Sequence, residues 1–379
     1  MSAGTFAVFL TVVLAVWGVM HGYVFWRLGS VPWVTAHVPR RRLVLSAVGL
    51  CMSYPLARIL NALGLQAVAW PLGFLSANWI GILFLLVSAL LVTDVATLGG
   101  WLVPKMAPVL RGWAAVTALL LAVVGLVQGL RPPVVRDYEV QLAGLPRERD
   151  GLVLVAISDL HLGTLIGRRW IERVVNRVNA MRPDLVLVVG DILEGHEGRV
   201  ETEIVPSLAK LRAPLGVWAV TGNHEFYNGI ERSVALIEAA GSTLLRDRWA
   251  EAVPGLILAG VDDLTARRQF GRDDRSVDQA LAHRPGGATI LLSHTPWAAD
   301  RAATAGAGLM ISGHTHNGQI WPFNHMVRLR YPLLGGRYEV DGMPVIVCRG
   351  TGTWGPRMRL WRPDEIVRIT LKAGTPSAP

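Results

Sequence analysis

Leu152-Val153-Leu154-Val155-Ala156-Ile157-Ser158-Asp159-Leu160-His161 is the stretch that decides the fold. Its apolar run reads as a buried strand, and a carboxylate and an imidazole follow its end, one residue apart. A strand of this kind lies inside a covered sheet, so the first polar side chains beyond it open onto the sheet's rim. An Asp and a His delivered there make half a site for a divalent cation. Working outward, the pattern recurs. Residues 185–189 run into Gly190-Asp191, and residues 216–220 into Gly222-Asn223-His224-Glu225. Residues 289–292 lead to His294, and residues 309–311 to Gly313-His314-Thr315-His316. Because each polar group follows its own apolar strand, all of them can converge on one edge of the sheet.

Further strands are expected at residues 134–142, 256–259, 345–348 and 366–371. Residues 169–181 read as an amphipathic helix with Ile171, Val174, Val175 and Val178 on one face, and helices are also expected at 202–211 and 230–240. Strands alternating with helices imply a layered α/β core.

The chain before this domain is of another kind. The 379 residues are 51% hydrophobic with a mean hydropathy of +0.38, and the excess lies in the first third. Residues 5–26, 43–63, 79–98 and 113–130 are apolar runs about long enough to cross a bilayer as helices. A cleaved signal peptide fits the first run poorly, because no basic residue precedes it. Trp79, Trp101 and Trp113 stand where interfacial anchors would. Arg58 and Asp94 fall within or near these runs, where an unpaired charge costs about 2.5–3.5 kcal/mol, so snorkelling or pairing between helices is expected.

Arg27, Arg40, Arg41 and Arg42 lie in one loop and Lys105 and Arg111 in another, whereas residues 64–78 read as a loop without charge. Basic loops stay inside, which places the α/β domain outside, although Arg131 and Arg136 pull mildly the other way. Pro132-Pro133 ends the last helix. The expected organisation is therefore a transmembrane helical anchor at 1–131, a linker and first strand at 132–150, the α/β domain at 151–372 and a disordered tail at 373–379. The net charge of +9 does not indicate nucleic acid, because the arginines are scattered or flank apolar runs. Cys51 and Cys348 fall in unrelated elements, so neither a disulfide nor a cysteine metal site is expected.

The ligand set is carboxylate, imidazole and amide without thiolate, which suits Mn, Fe, Zn or Mg and fits Ca poorly. Asp159, His161, Asp191, Asn223, His294, His314 and His316 are too many for one tetrahedral ion but suit two divalent ions sharing a carboxylate. The glycines before Asp191, Asn223 and His314 allow the tight turns that present those side chains.

In this order and spacing, DLH, GD, GNHE, H and GHTH resemble the calcineurin-like metallophosphoesterase superfamily. Gly313-His-Thr-His-Asn-Gly-Gln319 and Arg349-Gly-Thr-Gly-Thr-Trp354 are similar to its bacterial membrane- or envelope-associated phosphodiesterases. The resemblance covers residues 152–371 and implies a four-layer α/β/β/α sandwich. It assigns one metal to Asp159, His161, Asp191 and His316 and the second to Asp191, Asn223, His294 and His314. It makes His224 the catalytic residue that meets the scissile phosphate. Glu225 stands where many relatives have Asp and would orient His224, while Glu194 receives no role.

The implied function is a membrane-anchored, metal-dependent phosphohydrolase, a phosphodiesterase or pyrophosphatase, acting beside the lipid bilayer on a phosphoester that is lipid-linked or part of the envelope. The alternative is a transport or sensor protein with a regulatory phosphoesterase-like module. Asp263, after a strand, is read as a turn residue or a substrate contact, and Arg357 and Arg359 as substrate-steering or surface residues. Tyr227 and Asn228 border His224, where they are candidates for shaping a pocket, and His196, His283 and His325 are read as surface or core histidines.

Overall fold

A computed structural model describes residues 3–163, 165–195, 200–273 and 275–374. The chain forms two compact units, one of Met1–Leu130 with Gly355–Trp361, the other of Arg131–Trp354 with Arg362–Pro379. His196 lies outside the described residues.

The helical unit contains α1 (Ala3–Leu28), α2 (Pro32–His37), α3 (Arg40–Ala62), α4 (Gln66–Ala96) and α5 (Ala107–Leu130). All but α2 are long and apolar enough to cross a membrane. The largest departure from expectation is α4. It takes in most of the segment expected as a loop at 64–78 and runs through Pro71 for 31 residues. The segment holds Val68, Trp70, Leu72, Phe74 and Leu75, and an apolar segment in lipid satisfies its backbone by remaining helical. The turn between α3 and α4 shrinks to three residues centred on Gly64, whose φ of +76° only glycine takes without cost.

Asp94 is paired, as its place in an apolar run demands. Arg27 Nε lies 2.6 Å from one carboxylate oxygen, to which Tyr23 also donates at 2.7 Å. Arg111 donates to the other oxygen at 2.9 Å and to the Gly99 carbonyl at 2.8 Å. Removing one partner from such a buried pair costs about 3–5 kcal/mol. Arg111 is thus a buried residue of α5, not a loop charge. Arg58 is exposed. The Trp79 indole donates to His21 Nε2 at 2.9 Å, whereas Trp101 and Trp113 are exposed.

Gly355–Trp361 packs inside this unit. The backbone N–H groups of Arg357, Arg359 and Trp361 donate to Asn78 Oδ1, the Gly125 carbonyl and Gln128 Oε1 at 3.0, 2.8 and 3.0 Å. A Cβ on Gly129 would stand 2.6 Å from the Arg357 carbonyl oxygen, so this approach requires glycine. Arg357 and Arg359 are buried, which overturns their reading as substrate-steering or surface residues.

The α/β unit begins with β1 (Val134–Ala143), β2 (Val153–Ile157), α6 (Arg168–Ala180), β3 (Leu185–Val189), α7 (Val205–Leu208), β4 (Val217–Val220), α8 (Asn223–Tyr227), α9 (Ile230–Ala239) and β5 (Thr243–Leu244). It continues with β6 (Arg248–Val253), β7 (Leu256–Gly260), α10 (Leu264–Gln269), α11 (Ser276–Leu281), β8 (Ala288–Leu292), α12 (Ala299–Thr304), β9 (Leu309–Ser312), α13 (Phe323–Arg330), β10 (Gly336–Val340), β11 (Met343–Val347) and β12 (Glu365–Gly374). One sheet has the order β1-β12-β2-β3-β4-β5 and the other β10-β11-β9-β8-β7-β6. Within the sheets β2, β3 and β4 are parallel, as are β7, β8, β9 and β11.

Alternation along the strands makes the layers. Leu154, Leu187, Leu258, Ile290 and Ile346 fill the space between the sheets. Their neighbours Val155 and Val186 turn outward against Ile171, Val174 and Val178 of α6. On the other side Leu291, Met310 and Val345 meet Val277, Leu281 and Ala302. The result is a helix, sheet, sheet, helix sandwich. The helix expected at 202–211 is only a wide turn at Val200–Ile204 followed by the short α7, with Pro206 at its start. The last strand runs through Gly374, pairing it with Ala143, so Ala373 is not the start of a tail.

Candidate metal centre

Parallel strands end on one side, and there the polar residues meet. Asp159 and His161 follow β2, Asp191 follows β3, Asn223 and His224 open α8 after β4, His294 follows β8, and His314 and His316 follow β9. His294 Nε2 lies 3.1 Å from Asp191 Oδ2 and 3.9 Å from Asp159 Oδ1. His316 Nε2 lies 3.3 Å from Asp159 Oδ1, and His161 Nε2 lies 3.8 Å from Asp191 Oδ2. The His294 and His314 rings are 5.2 Å apart. Six of the seven residues read as ligands, Asp159, His161, Asp191, His294, His314 and His316, therefore gather in one place, and Asn223 follows Gly222, which lies against Asp191.

The local backbone shows why these residue types are needed. Asp159, His161, Asp191, His314 and His316 all have positive φ, between 46° and 71°. Non-glycine residues held there store strain that the surrounding fold must overcome, and such strain concentrates at functional sites. The glycines differ in role. Gly190 has a φ of +75°, which the turn requires. Gly222 and Gly313 do not have positive φ; there a Cβ would stand 2.1 Å from Asp191 Oδ1 and 2.5 Å from Asp159 Oδ2.

Several polar atoms are arranged for something other than each other. His294 Nδ1 is bound to the Val189 carbonyl at 2.7 Å, which fixes that nitrogen as the donor and leaves Nε2 as a lone pair. That Nε2 and Asn223 Oδ1 are buried without a hydrogen bond. His161 Nε2 and His316 Nε2 lie within hydrogen-bonding distance of each other at 3.1 Å, so both ring nitrogens are turned to the same spot. Asp159, His161 and His316 form one group of converging ligand atoms, and Asp191, His294 and His314 another. The donor set fits divalent cations: oxygen and nitrogen atoms, buried, with unsatisfied lone pairs.

The electrostatics agree. Burial and the neighbouring His294 push His314 down to about 3, which keeps the ring neutral. Against the burial that would raise it, His294 and His224 hold the Asp191 carboxyl far below the usual range. Burial would also depress His224, yet the carboxylates of Asp191, Glu194 and Glu225 raise it to about 9.

Glu194, given no role in the sequence, is part of this centre. One carboxylate oxygen lies 2.9 Å from His161 Nδ1 and 2.8 Å from His224 Nδ1. It therefore sets the orientation of a ligand and of His224 together. Its place three residues after Asp191 in the same loop was the available signal. Glu225 does not orient His224. It is fully buried and accepts from the backbone N–H groups of Asp191, Ile192, Leu193 and Gly222 at 2.9, 2.8, 3.2 and 2.7 Å. The longer side chain reaches past the histidine to hold the loop that carries Asp191.

Asp263 is structural. It caps α10 through Ala266 N at 2.7 Å and accepts from Thr295 Oγ1 at 2.5 Å, bracing the residue after His294; burial raises it to about 6. Asp262 pairs with Arg246 at 2.8 Å. The Tyr227 ring lies 5.4 Å from that of His224, and Asn228 ties down the Glu194 loop through the Leu193 carbonyl at 2.9 Å and Gly195 N at 3.3 Å. His283 and His325 are exposed. Cys51 and Cys348 are free.

The sequence profile of the calcineurin-like phosphoesterases matches residues 152–318. A transmembrane protein with metallophosphoesterase domain from Danio rerio is 36% identical over 271 residues, covering 68% of this chain and 62% of the relative. An uncharacterised metallophosphoesterase from Aquifex aeolicus is 33% identical over 243 residues, covering 63% of this chain and 91% of the relative. The crystal structure of a dimetal phosphatase from Danio rerio aligns with a TM-score of 0.35 at 16% identity, over 53% of this chain and 88% of that one, a likeness too loose to bear on the site. The chain spans 62% of the length of the first vertebrate relatives it matches, those from Danio rerio and Bos taurus.

Proposed function

The chain belongs to the calcineurin-like phosphoesterase family, and from that premise we propose that it is a membrane-anchored phosphohydrolase with a two-cation centre, acting on a phosphodiester or pyrophosphate. The observation that carries this reading is the convergence of Asp159, His161, Asp191, His294, His314 and His316, with His294 Nε2 and Asn223 Oδ1 buried without a hydrogen bond. Asp159, His161, Asp191 and His316 would hold one cation, and Asp191, Asn223, His294 and His314 the other, with Asp191 shared. Bound there, Mn, Fe, Zn or Mg ions would polarise the phosphoryl group and clamp the attacking and leaving oxygens of an in-line displacement.

The remaining steps belong to the side chains. His224, with Nδ1 held by Glu194 and its charge favoured by three carboxylates, keeps a proton on Nε2 to give to the leaving oxygen. Glu194 also holds the His161 ring, so the acid and one ligand keep a fixed relation. A lipid-linked or envelope phosphoester is the favoured substrate, because apolar helices on the same chain keep the site beside a bilayer and raise its effective concentration there. Arg40, Arg41 and Arg42 at the start of α3 and Lys105 before α5 favour the α/β unit on the outer side.

Purified full-length protein in detergent is expected to hydrolyse methyl p-nitrophenyl phosphate with added Mn, to lose turnover on chelation and to regain it on re-addition. Absence of metal-dependent turnover overturns the proposal. In the same assay His224→Asn is expected to lower kcat by about 10²–10³-fold while metal content stays unchanged.

A further inference from the structure

The exposed apolar surface of the α/β unit is concentrated, not scattered. Among the described residues, three of its exposed large hydrophobics are Tyr227, Phe270 and Trp354. They stand around His224: the Tyr227 and Trp354 rings lie 5.4 and 6.1 Å from the imidazole, and Phe270 lies 6.4 Å from Tyr227. The others, Trp321, Phe323, Met326 and Leu329, belong to α13 and the turn before it.

α13 is an unusual helix for a folded domain, since it buries no residue. Asn324 and Val327 are half-buried, while Met326 is 60% and Leu329 88% exposed. Leu329 is the most exposed large hydrophobic described, ahead even of Trp101 in the helical unit at 78%. At 100° per residue Met326 and Leu329 share one outward face, with His325 and Arg328 on one flank and Arg330 on the other. Single exposed apolar residues are ordinary, but several on one short helix mark an interaction face. Both ends of α13 lead to the metal centre. It follows the loop of His314 and His316, and the Tyr331 hydroxyl at its C-terminus meets His314 Nε2 at 2.8 Å.

Two facts select the occupant. The apolar α5 ends at Leu130 and β1 begins at Val134, so three residues, an extended reach of about 10 Å, tie the α/β unit to any bilayer that α5 crosses. Residues 313–338 contain no Asp or Glu but include Arg328, Arg330 and Arg337, a charge balance that complements anionic headgroups. We propose that α13, with Trp321, seats in the headgroup layer of the bilayer and opens the metal centre to phosphoesters borne by lipids. This rests on the phosphohydrolase reading above and adds the surface by which the substrate is met. An apolar face flanked by cationic side chains binds such a layer by partial insertion of the face, with the charges left among the phosphates.

The test uses full-length protein in nanodiscs of equal parts phosphatidylcholine and phosphatidylglycerol, with two esters that share a leaving group. Phosphatidyl-p-nitrophenol is embedded in the discs, and methyl p-nitrophenyl phosphate is dissolved. The M326E/L329E protein is expected to lose about tenfold or more on the embedded ester and to keep the dissolved one within about twofold. Equal rates to the unsubstituted protein on both esters overturn the proposal. Should the unsubstituted protein cleave neither, the phosphohydrolase reading fails, and the seating of α13 is decided separately. For that, an environment-sensitive fluorophore is placed on Leu329→Cys in a Cys51→Ser background. Quenching by brominated lipid supports the seated helix. No quenching, or excimer emission between labelled chains in its place, overturns it, the latter marking the face as a contact between copies.

Discussion

Asp191→Ala is expected to abolish hydrolysis, with kcat falling about 10³-fold or more, equivalent to about 4 kcal/mol of barrier. The reason is its position between the two ligand groups. Oδ2 lies 3.1 Å from His294 Nε2 and 3.8 Å from His161 Nε2, so one carboxylate serves both. Oδ1 accepts the backbone N–H of His224 at 2.9 Å, which couples the shared ligand to the residue that donates the proton. Alanine removes all of these and leaves His224 without one of the three carboxylates that raise it. The substitution is small and Gly222 lies against Asp191, so the fold has no new crowding to absorb. The expected signature is loss of turnover and of bound metal with near-native thermal stability. Full turnover in this variant contradicts the shared-ligand assignment.

Glu225→Ala is expected to act through stability instead. Its carboxylate is the acceptor for four buried backbone N–H groups, from Asp191, Ile192, Leu193 and Gly222. A buried donor left unsatisfied costs about 1–3 kcal/mol, so the set of four costs roughly 4–12 kcal/mol, comparable with the whole stability of a typical domain, about 5–15 kcal/mol. Thermal melting of the full chain, followed by circular dichroism, is expected to show the α/β unit unfolding at least about 10 °C lower, or absent from the purified protein. Glu225→Gln, which keeps one carbonyl acceptor, is expected to recover part of the loss. A shift within about 2 °C for the alanine variant contradicts this account.

These two residues also show what a sequence can disclose. Asp191 was legible because a ligand delivered by a buried strand needs only that strand and a turn after it, and both leave local signals. The same holds for His294, His314 and His316, and for the core alternation of Leu154 with Val155. Glu225 was misassigned because three of its four partners are backbone groups of the loop that carries Asp191, which no residue type announces. Glu194 was passed over because its role depends on two histidines brought to it by the fold, His161 and His224.

Arg357 and Arg359 carry the same lesson further. A loop between β11 and β12 packs within the helical unit, and no local pattern in Gly355–Trp361 signals that. Deletion of residues 1–130 would therefore not be a clean removal of an anchor, since Gly355–Trp361 would lose Asn78, Gly125 and Gln128. The helix α4 was misread at its start because the uncharged segment 64–78 resembles a loop in charge pattern, while its apolar content keeps it helical.

The central claim is that two cations share Asp191. Anomalous diffraction from crystals of the full-length protein loaded with Mn tests it most directly. The account predicts two peaks about 3.5–4 Å apart with the Asp191 carboxylate between them. A single peak, or an ion held by His161, Glu194 and His224 in place of Asp191, would contradict it.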